Sequence, residues 1–378
     1  MDKNNDMAAL NFTDLHISPT LLSALEKMKI EKPTAIQTQG IPLVLNGSNL
    51  IAIAETGSGK TLTYALAIMT LLEKKTETRA LIMAPSREMV QQLDLVFTKL
   101  REALPMTSCL VIGGQDGSKQ TSQLKKNPRI ILATPGRMND HLQTNKLLLQ
   151  KVEFVVIDEA ERMLDMGFAP QLKNIQKTMR GQWQTLMFSA SMSPAVETVA
   201  KIFMQGEPQI LRTNQSQAPV ETLKQKVIYL SSSQKNDQLF EEIKDTKGGV
   251  IIFAGDQESC VKVGKHLAEF DLDSDLIHGG LSQGHRNRVI REFREGKIRV
   301  LVTTDLLARG LDVPHVNLVV NYDLPVDPDD FLHRIGRTAR AGKYGEAITF
   351  ITAADTKMQK RIQKYLVGAK EIKLEPLK

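Results

Sequence analysis

The stretch "NLIAIAETGSGKTLTYALAIMTLL", residues 49–72, reads as a short apolar strand, a glycine-bearing turn and a helix. Leu62, Ala65, Leu66, Met69 and Leu72 recur at helical spacing and predict one apolar helix face. In the turn, Gly57 and Gly59 let backbone N–H groups converge on a phosphate, and Lys60 can reach the β- and γ-phosphates of a nucleotide. Thr61 follows at the helix N-terminus with a hydroxyl suited to a Mg2+ position. The general phosphate-loop spacing asks for glycine five residues before Gly59, and this chain has Ala54 there.

Outward from this unit, short apolar runs alternate with longer amphipathic segments. "ALIMAP", "SCLVIGG", "RIILATP", "FVVIDEA" and "TLMFSAS" follow in the first half. After residue 220 come "KQKVIYL", "GVIIFAG", "SDLIHGG", "IRVLVTTD", "VNLVVNYD" and "EAITFITA". Such alternation predicts parallel sheets buried under helices. Between the two sets, "EPQILRTNQSQAPVE" (207–221) is polar and holds Pro208 and Pro219, so it reads as a tether. The expected fold is α/β, with two tandem lobes, each a mostly parallel sheet covered by helices on both faces. The expected divisions are an N-terminal segment over 1–38, a first domain over 39–212, a linker over 213–219 and a second domain over 220–378.

A second stretch, "VVIDEAER" (155–162), ends an apolar strand in carboxylates. A magnesium ion on a triphosphate needs a carboxylate, and the carboxyl ends of parallel strands are where α/β folds place ligands. Asp158 meets that need, which leaves Glu159 to orient or deprotonate an attacking water. An acidic pair after a strand is otherwise an ordinary helix N-terminal charge; Lys60 and Thr61 upstream favour the metal reading.

Composition narrows the field. Of 378 residues, 42% are hydrophobic and 24% charged, which is globular composition with length for about two domains. The formal charge of +6 is compatible with a polyanionic partner and does not by itself require one. The two cysteines, Cys109 and Cys260, lie far apart without neighbours at metal-ligand spacing, so a disulfide scaffold or zinc site is not expected and a reducing compartment is. No signal-peptide pattern opens the chain and the longest apolar tract is too short to span a bilayer, so a soluble cytoplasmic protein is expected. With 5% aromatics, a stacking platform for single strands is not expected either.

These elements resemble the DEAD-box family of RNA helicases, over nearly the whole chain. In order, "PTAIQ" (33–37), "AETGSGKT" (54–61), "PSRE" (85–88), "IGG" (112–114), "TPGR" (134–137), "DEAE" (158–161), "SAS" (189–191), "HGGLSQGHR" (278–286), "TTDLLARGLDVP" (303–314) and "HRIGRTAR" (333–340) match that family's motifs. The resemblance implies two RecA-like domains and an ATP- and Mg2+-dependent enzyme, an RNA-stimulated ATPase that unwinds or remodels RNA. It implies a nucleotide site of Gln37, Thr56, Gly57, Ser58, Gly59, Lys60, Thr61 and Asp312, with Gln37 reading adenine and Asp312 the ribose. Thr61 and Asp158 would hold Mg2+, largely through water. Arg337 and Arg340, three apart and expected on one helix face, would complete catalysis with Lys60, Asp158 and Glu159. Ser189 and Ser191 would couple to Glu161.

The same resemblance implies RNA contacts at Arg87, Gly114, Thr134, Arg137, Gln283, Arg286 and Thr304. Paired glycines and helix N-termini suit phosphate oxygens, so binding through the sugar-phosphate backbone, independent of sequence, is expected. The chain departs from the family pattern at Glu161, where Asp is usual, so its contact with the serines must shift by about 1 Å or be repacked. It departs again at Ala339, which replaces a glycine and is tolerable only in helical backbone. At Lys29-Ile30 a glycine-aromatic pair is usual, and its loss predicts weaker adenine stacking. Phe12 is either the family's upstream aromatic or an apolar anchor. An ATP-gated RNA clamp with slow turnover and a DNA-directed helicase are the alternatives that these motifs leave open.

Overall fold

The computed structural model describes residues 11–54, 57–213, 223–270, 272–305, 315–339 and 344–368. Thr56, Asp312 and Arg340 lie outside the described residues, as does nearly all of the 213–219 linker. The chain divides into two compact units, residues 1–215 and 216–378.

In the first unit the strands are β1 (Leu50–Ile53), β2 (Arg79–Met83), β3 (Ser108–Val111), β4 (Ile130–Ala133), β5 (Val152–Asp158), β6 (Gln184–Ser189) and β7 (Gln209–Arg212). They form one parallel sheet in the order β3-β4-β2-β5-β6-β1-β7. The helices are α1 (Pro19–Lys27), α2 (Ala35–Leu45), α3 (Lys60–Lys74), α4 (Arg87–Arg101), α5 (Gly117–Lys125), α6 (Pro135–Thr144), α7 (Ala160–Asp165), α8 (Ala169–Thr178) and α9 (Pro194–Phe203). Alternate strand residues point to opposite faces, and each face has its own core. Ala52, Ile82 and Val156 pack under α1–α4 on one side, and Ile51, Leu81 and Val155 under α6–α9 on the other.

The second unit repeats the scheme with β8 (Leu223–Tyr229), β9 (Gly249–Phe253), β10 (Ser274–Ile277), β11 (Val300–Thr303), β12 (Val316–Asn321) and β13 (Gly345–Ile351). Its parallel order is β10-β11-β9-β12-β13-β8. Its helices include α10 (Lys235–Ile243), α11 (Gln257–Leu267), α12 (Gln283–Arg294), α13 (Pro328–Ile335) and α14 (Thr356–Gly368).

Three expectations are corrected. The segment 207–221 is not all tether, because Gln209–Arg212 pairs with β1 as an edge strand. Only Leu211 of those four is buried, so the strand has no apolar run to announce it. The helix α3 shows more than one apolar face: Thr63, Tyr64, Ala67, Ile68 and Thr70 are buried along with Ala65, Leu66, Met69 and Leu72, while Leu62 is only partly buried. Small and hydroxyl-bearing side chains let it sit against the sheet and α2 together. The expectation that Arg337 lies on a helix face does not hold, since α13 ends at Ile335; Arg340, its expected neighbour on that face, lies outside the described residues, and Ala339 has φ of 54°. Ala339 therefore sits in left-handed backbone, and the condition that it stay helical fails.

Candidate nucleotide and RNA site

In a parallel sheet every strand ends on the same edge, so loops leaving those ends meet there. In the first unit β5, β6 and β1 are neighbours, and from their ends project Asp158, Ser189 and the phosphate loop. On the other half of that edge, β3, β4 and β2 lead into Gly113–Gly114, Thr134 and Arg87. The sheet thus sorts the expected nucleotide and RNA residues of this unit into two adjacent groups.

The loop itself turns through Gly57 at φ of 84° and Gly59 at 99°, backbone that an L side chain rarely adopts. A Cβ at Gly59 would also run into the Gln37 amide and lie 2.8 Å from Thr34 Oγ1. Ala54 needs no such freedom: its N–H donates to the Ser189 carbonyl at 3.0 Å, continuing the β1–β6 ladder. Lys60 is buried, and its Nζ donates to the Ala54 carbonyl at 2.6 Å. Thr61 and Ser58 occupy the first turn and the loop beside it.

Gln37 has a second task. Its Oε1 accepts from Thr34 N at 2.9 Å, closing a capping box on α2, while Nε2 donates to the Gly59 carbonyl at 3.2 Å. One donor and one acceptor of the amide therefore lock this segment to the phosphate loop. Phe12 is buried in the core and Ile30 packs against it, so both anchor the segment before α2.

Asp158 is 5% exposed and terminates β5. Tyr64 donates its hydroxyl to Asp158 Oδ2 at 2.9 Å, and Glu159 N donates to Oδ1 at 3.0 Å. Burial pushes the Asp158 carboxyl up, and the Lys60 charge and these donors oppose it. Burial, and then the Asp158 charge, pushes the Tyr64 phenol well above its usual range, while a Thr61 hydrogen bond lowers it. Tyr64 thus ties together Thr61 and Asp158, the two residues expected to serve Mg2+. A buried carboxylate with its oxygens oriented, beside a lysine and a threonine hydroxyl, is a donor set that fits a hard cation on a phosphate. Tyr64 was not singled out from the sequence; a phenol four residues past the lysine in an apolar helix was the available signal.

Glu159 adopts φ of 49°, a sharp turn between β5 and α7. Glu161 reaches β6 without any opening of the structure. Ser189 Oγ lies 2.5 Å from Glu161 Oε2, and Ala190 N donates to Oε1 at 3.3 Å. Ser191 joins through its backbone, its carbonyl 2.6 Å from Ser189 Oγ.

Around the other half of the edge, Arg87 opens α4 behind the Ser86 cap, and a Cβ at Gly113 would lie 2.7 Å from its guanidinium. Gly114 has φ of 75°. Thr134 caps α6, and Arg137 in its first turn donates through Nε to Gln120 Oε1 at 2.9 Å.

In the second unit, Gln283 and Arg286 lie in the first turn of α12, 2.5 Å apart, and buried Thr304 follows β11. The β10 and β11 strands are neighbours, so these three share one end of the sheet. Arg337 is buried, with Nε donating to the His333 carbonyl at 3.1 Å. Thr338 next to it donates to the Val316 carbonyl at 2.8 Å, at the opposite end of β12.

The residue that sequence reasoning passed over here is Arg334. It is 1% exposed and makes a bidentate pair with Asp305 at 2.5 and 2.7 Å. Its NH1 reaches the Asp323 carbonyl at 2.5 Å and Asn321 Oδ1 at 3.3 Å, and the guanidinium stacks 5.0 Å from the Phe253 ring centre. The pattern contained the arginine, and nothing in its spacing separated a buried clamp from an exposed finger.

Two family models match this chain, "DEAD/DEAH box helicase" over residues 34–199 and "Helicase conserved C-terminal domain" over 234–342. A curated relative from Neurospora crassa, named ATP-dependent rRNA helicase rrp-3, is 39% identical over 93% of this chain and 69% of its own length. The chain belongs to the DEAD-box helicase family. A relative from Encephalitozoon cuniculi, named ATP-dependent rRNA helicase RRP3, is 37% identical over 98% of this chain and 92% of its own. Among solved structures, S. cerevisiae Dbp5 bound to RNA and ADP BeF3 matches with TM-score 0.87 at 33% identity, covering 98% of this chain and 96% of that one. Mss116p bound to ssRNA and AMP-PNP matches with TM-score 0.89 at 26% identity, over 100% of this chain and 80% of that one. For this DEAD-box chain, these matches accord with two RecA-like sheets carrying their motifs at strand ends.

Proposed function

We propose that this DEAD-box protein is an ATP-dependent RNA helicase, an RNA-stimulated ATPase that opens RNA duplexes or remodels RNA-protein complexes. The observation that carries the reading is the joined set Gln37–Gly59–Lys60 and Thr61–Tyr64–Asp158 at one strand edge, with Arg87 and Arg137 along the same edge. Lys60 exchanges its carbonyl partner for triphosphate oxygens, and Glu159 orients the attacking water. Thr61 and Asp158 would hold Mg2+, which supplies charge neutralisation to the triphosphate. Arg337 and Arg340 are assigned to the transferring phosphoryl group, Asp312 to the ribose and Thr56 to the loop. Gly114, Thr134, Arg137, Arg87, Gln283, Arg286 and Thr304 are assigned to RNA phosphates and sugars.

Ribosomal RNA is the first substrate class to test, because the curated relatives carry that name. The direct contact of Glu161 with Ser189 supports turnover over a slow clamp, since the longer side chain still makes the link. Both cysteines are free and buried, with thiols pushed up to about 11 for Cys109 and about 12 for Cys260, in keeping with a reducing, cytoplasmic setting. Among the described residues no helix is long and apolar enough to cross a membrane. The test is ATPase rate against RNA concentration, with matched DNA as comparison. RNA should stimulate and DNA should not, and Lys60→Ala should abolish nucleotide binding. A rate unmoved by any RNA would overturn the assignment.

A further inference from the structure

Arg137 does not take its position from its own helix. Its Nε is held by the Oε1 of Gln120, a residue of α5 that is 3% exposed. Gln120 is itself fixed, because its Nε2 donates 2.8 Å to the Ile112 carbonyl at the end of β3, which turns its oxygen toward α6. That oxygen also lies 3.0 Å from Nε2 of buried His141, one helical turn below Arg137. Burial, and then the Arg137 charge, lowers the His141 pKa, so the neutral ring donates through Nε2. Beneath the guanidinium sits Gly117, where a Cβ would collide with Arg137. The same segment supports Arg87 at Gly113 in the same way. Asp140 is a weak rival at 3.9 Å from NH1, and it is 61% exposed.

We propose that Gln120, backed by His141, is a positioning residue for RNA binding, and that "IGGQDGSKQ" (112–120) is a cradle that aims Arg87 and Arg137 outward. With Nε taken, the guanidinium presents its NH1/NH2 edge, the planar fork that pairs with phosphate oxygens. Glycine at 113 and 117 serves the flat packing of two arginines, beyond any backbone contact that Gly114 makes. The proposal rests on the assignment of Arg137 to an RNA phosphate.

The test is a double-mutant cycle of Gln120→Ala and Arg137→Ala in the full chain, read by anisotropy of a labelled single-stranded RNA with a non-hydrolysable ATP analogue. Gln120→Ala should weaken RNA binding about fivefold, the order expected for losing one hydrogen bond that orients a charge. It should raise the RNA concentration for half-maximal ATPase while leaving kcat at saturating RNA within about twofold. The slope of log Kd against log salt should fall by up to about 0.7, one single-strand phosphate contact, in either single variant. In the Arg137→Ala background Gln120→Ala should add nothing. Additive losses, or an unchanged salt slope with lower kcat, would make Gln120 merely structural and overturn the proposal. If Arg137→Ala weakens binding and Gln120→Ala does not, only the proposal falls; if Arg137→Ala is silent, the RNA assignment of Arg137 falls with it.

Discussion

Replacing Arg334 with methionine should destabilise the second unit selectively. The substitution removes two hydrogen bonds to Asp305, one to Asn321 and one to the Asp323 carbonyl, together with a ring contact to Phe253. Removing one partner of a buried ion pair costs about 3–5 kcal/mol, because the other charge stays behind unpaired. The Asp305 side chain is 22% exposed, so water can replace part of the loss and the lower end applies, about 3 kcal/mol. With a urea m-value of about 2 kcal/mol per M, the midpoint should fall by about 1.5 M. The chain has one tryptophan, Trp183, buried in the first unit, so its fluorescence follows that unit while far-UV circular dichroism follows both. The dichroism transition absent from the fluorescence trace should move, and the fluorescence midpoint should not. Adding Asp305→Leu should recover most of the loss, since apolar replacement of both partners removes the stranded charge. A shift under 1 M, or a double variant as weak as the single one, would show that the guanidinium is not the clamp between β11 and β12.

Tyr64→Phe should lower first-unit stability by about 1.5–3 kcal/mol, the range for a hydrogen bond to a charged group, and weaken ADP binding in Mg2+ more than without it; equal weakening in both would remove the link to Asp158. Burial pushes the Asp323 carboxyl up, yet hydrogen bonds from Lys235, Ser259 and Gly255 N and the Lys235 charge outweigh it and hold the group below its usual range. Its contribution to stability is therefore full above the ordinary carboxylate pKa and is lost as pH falls through the depressed value, so the second-unit urea midpoint should drop between pH 5 and acid; Asp323→Asn should flatten that drop, and an unchanged profile would refute the assignment. Ala339→Gly relieves about 1–2 kcal/mol of left-handed backbone strain, but gives up about 0.5–1 kcal/mol in chain entropy and about 0.8 kcal/mol in methyl burial. The terms nearly cancel, so the unfolding free energy should change by less than about 1 kcal/mol, and a gain above about 2 kcal/mol would mean that more strain is stored there than left-handed backbone alone accounts for.

Strands were legible wherever burial on both faces left an uninterrupted apolar run, as in "FVVIDEA", and β7 was not, because an edge strand buries one residue and looks like its polar surroundings. The phosphate loop was legible because glycine, lysine and threonine are each required by a separate physical demand. Tyr64, Gln120 and Arg334 were not, since each acts through a partner far along the chain, Asp158, Arg137 and Asp305 respectively, and no local spacing encodes such a contact. What the pattern could say of Arg334 was its identity; its burial beneath Phe253 and between two strand ends is a property of the sheet order.

The departures from the family pattern divide in the same way, by whether backbone or side chain carries the requirement. Ala54 costs nothing because the position that the spacing marks for glycine is here ordinary ladder backbone. Ala339 is the opposite case, with the backbone demand present and met by the smallest side chain that has a Cβ. Glu161 is a side-chain case, and its outcome turns on one proton. The Ser189 hydroxyl has a single hydrogen and two acceptors within 2.6 Å, Glu161 Oε2 and the Ser191 carbonyl. A carboxylate is the stronger acceptor, so the hydrogen goes to Glu161 and the Ser191 carbonyl is left to other donors. Shortening Glu161 to aspartate would return the hydrogen to Ser191 unless α7 closed on β6. The link between these strand ends therefore depends on where α7 sits as much as on which acid it carries.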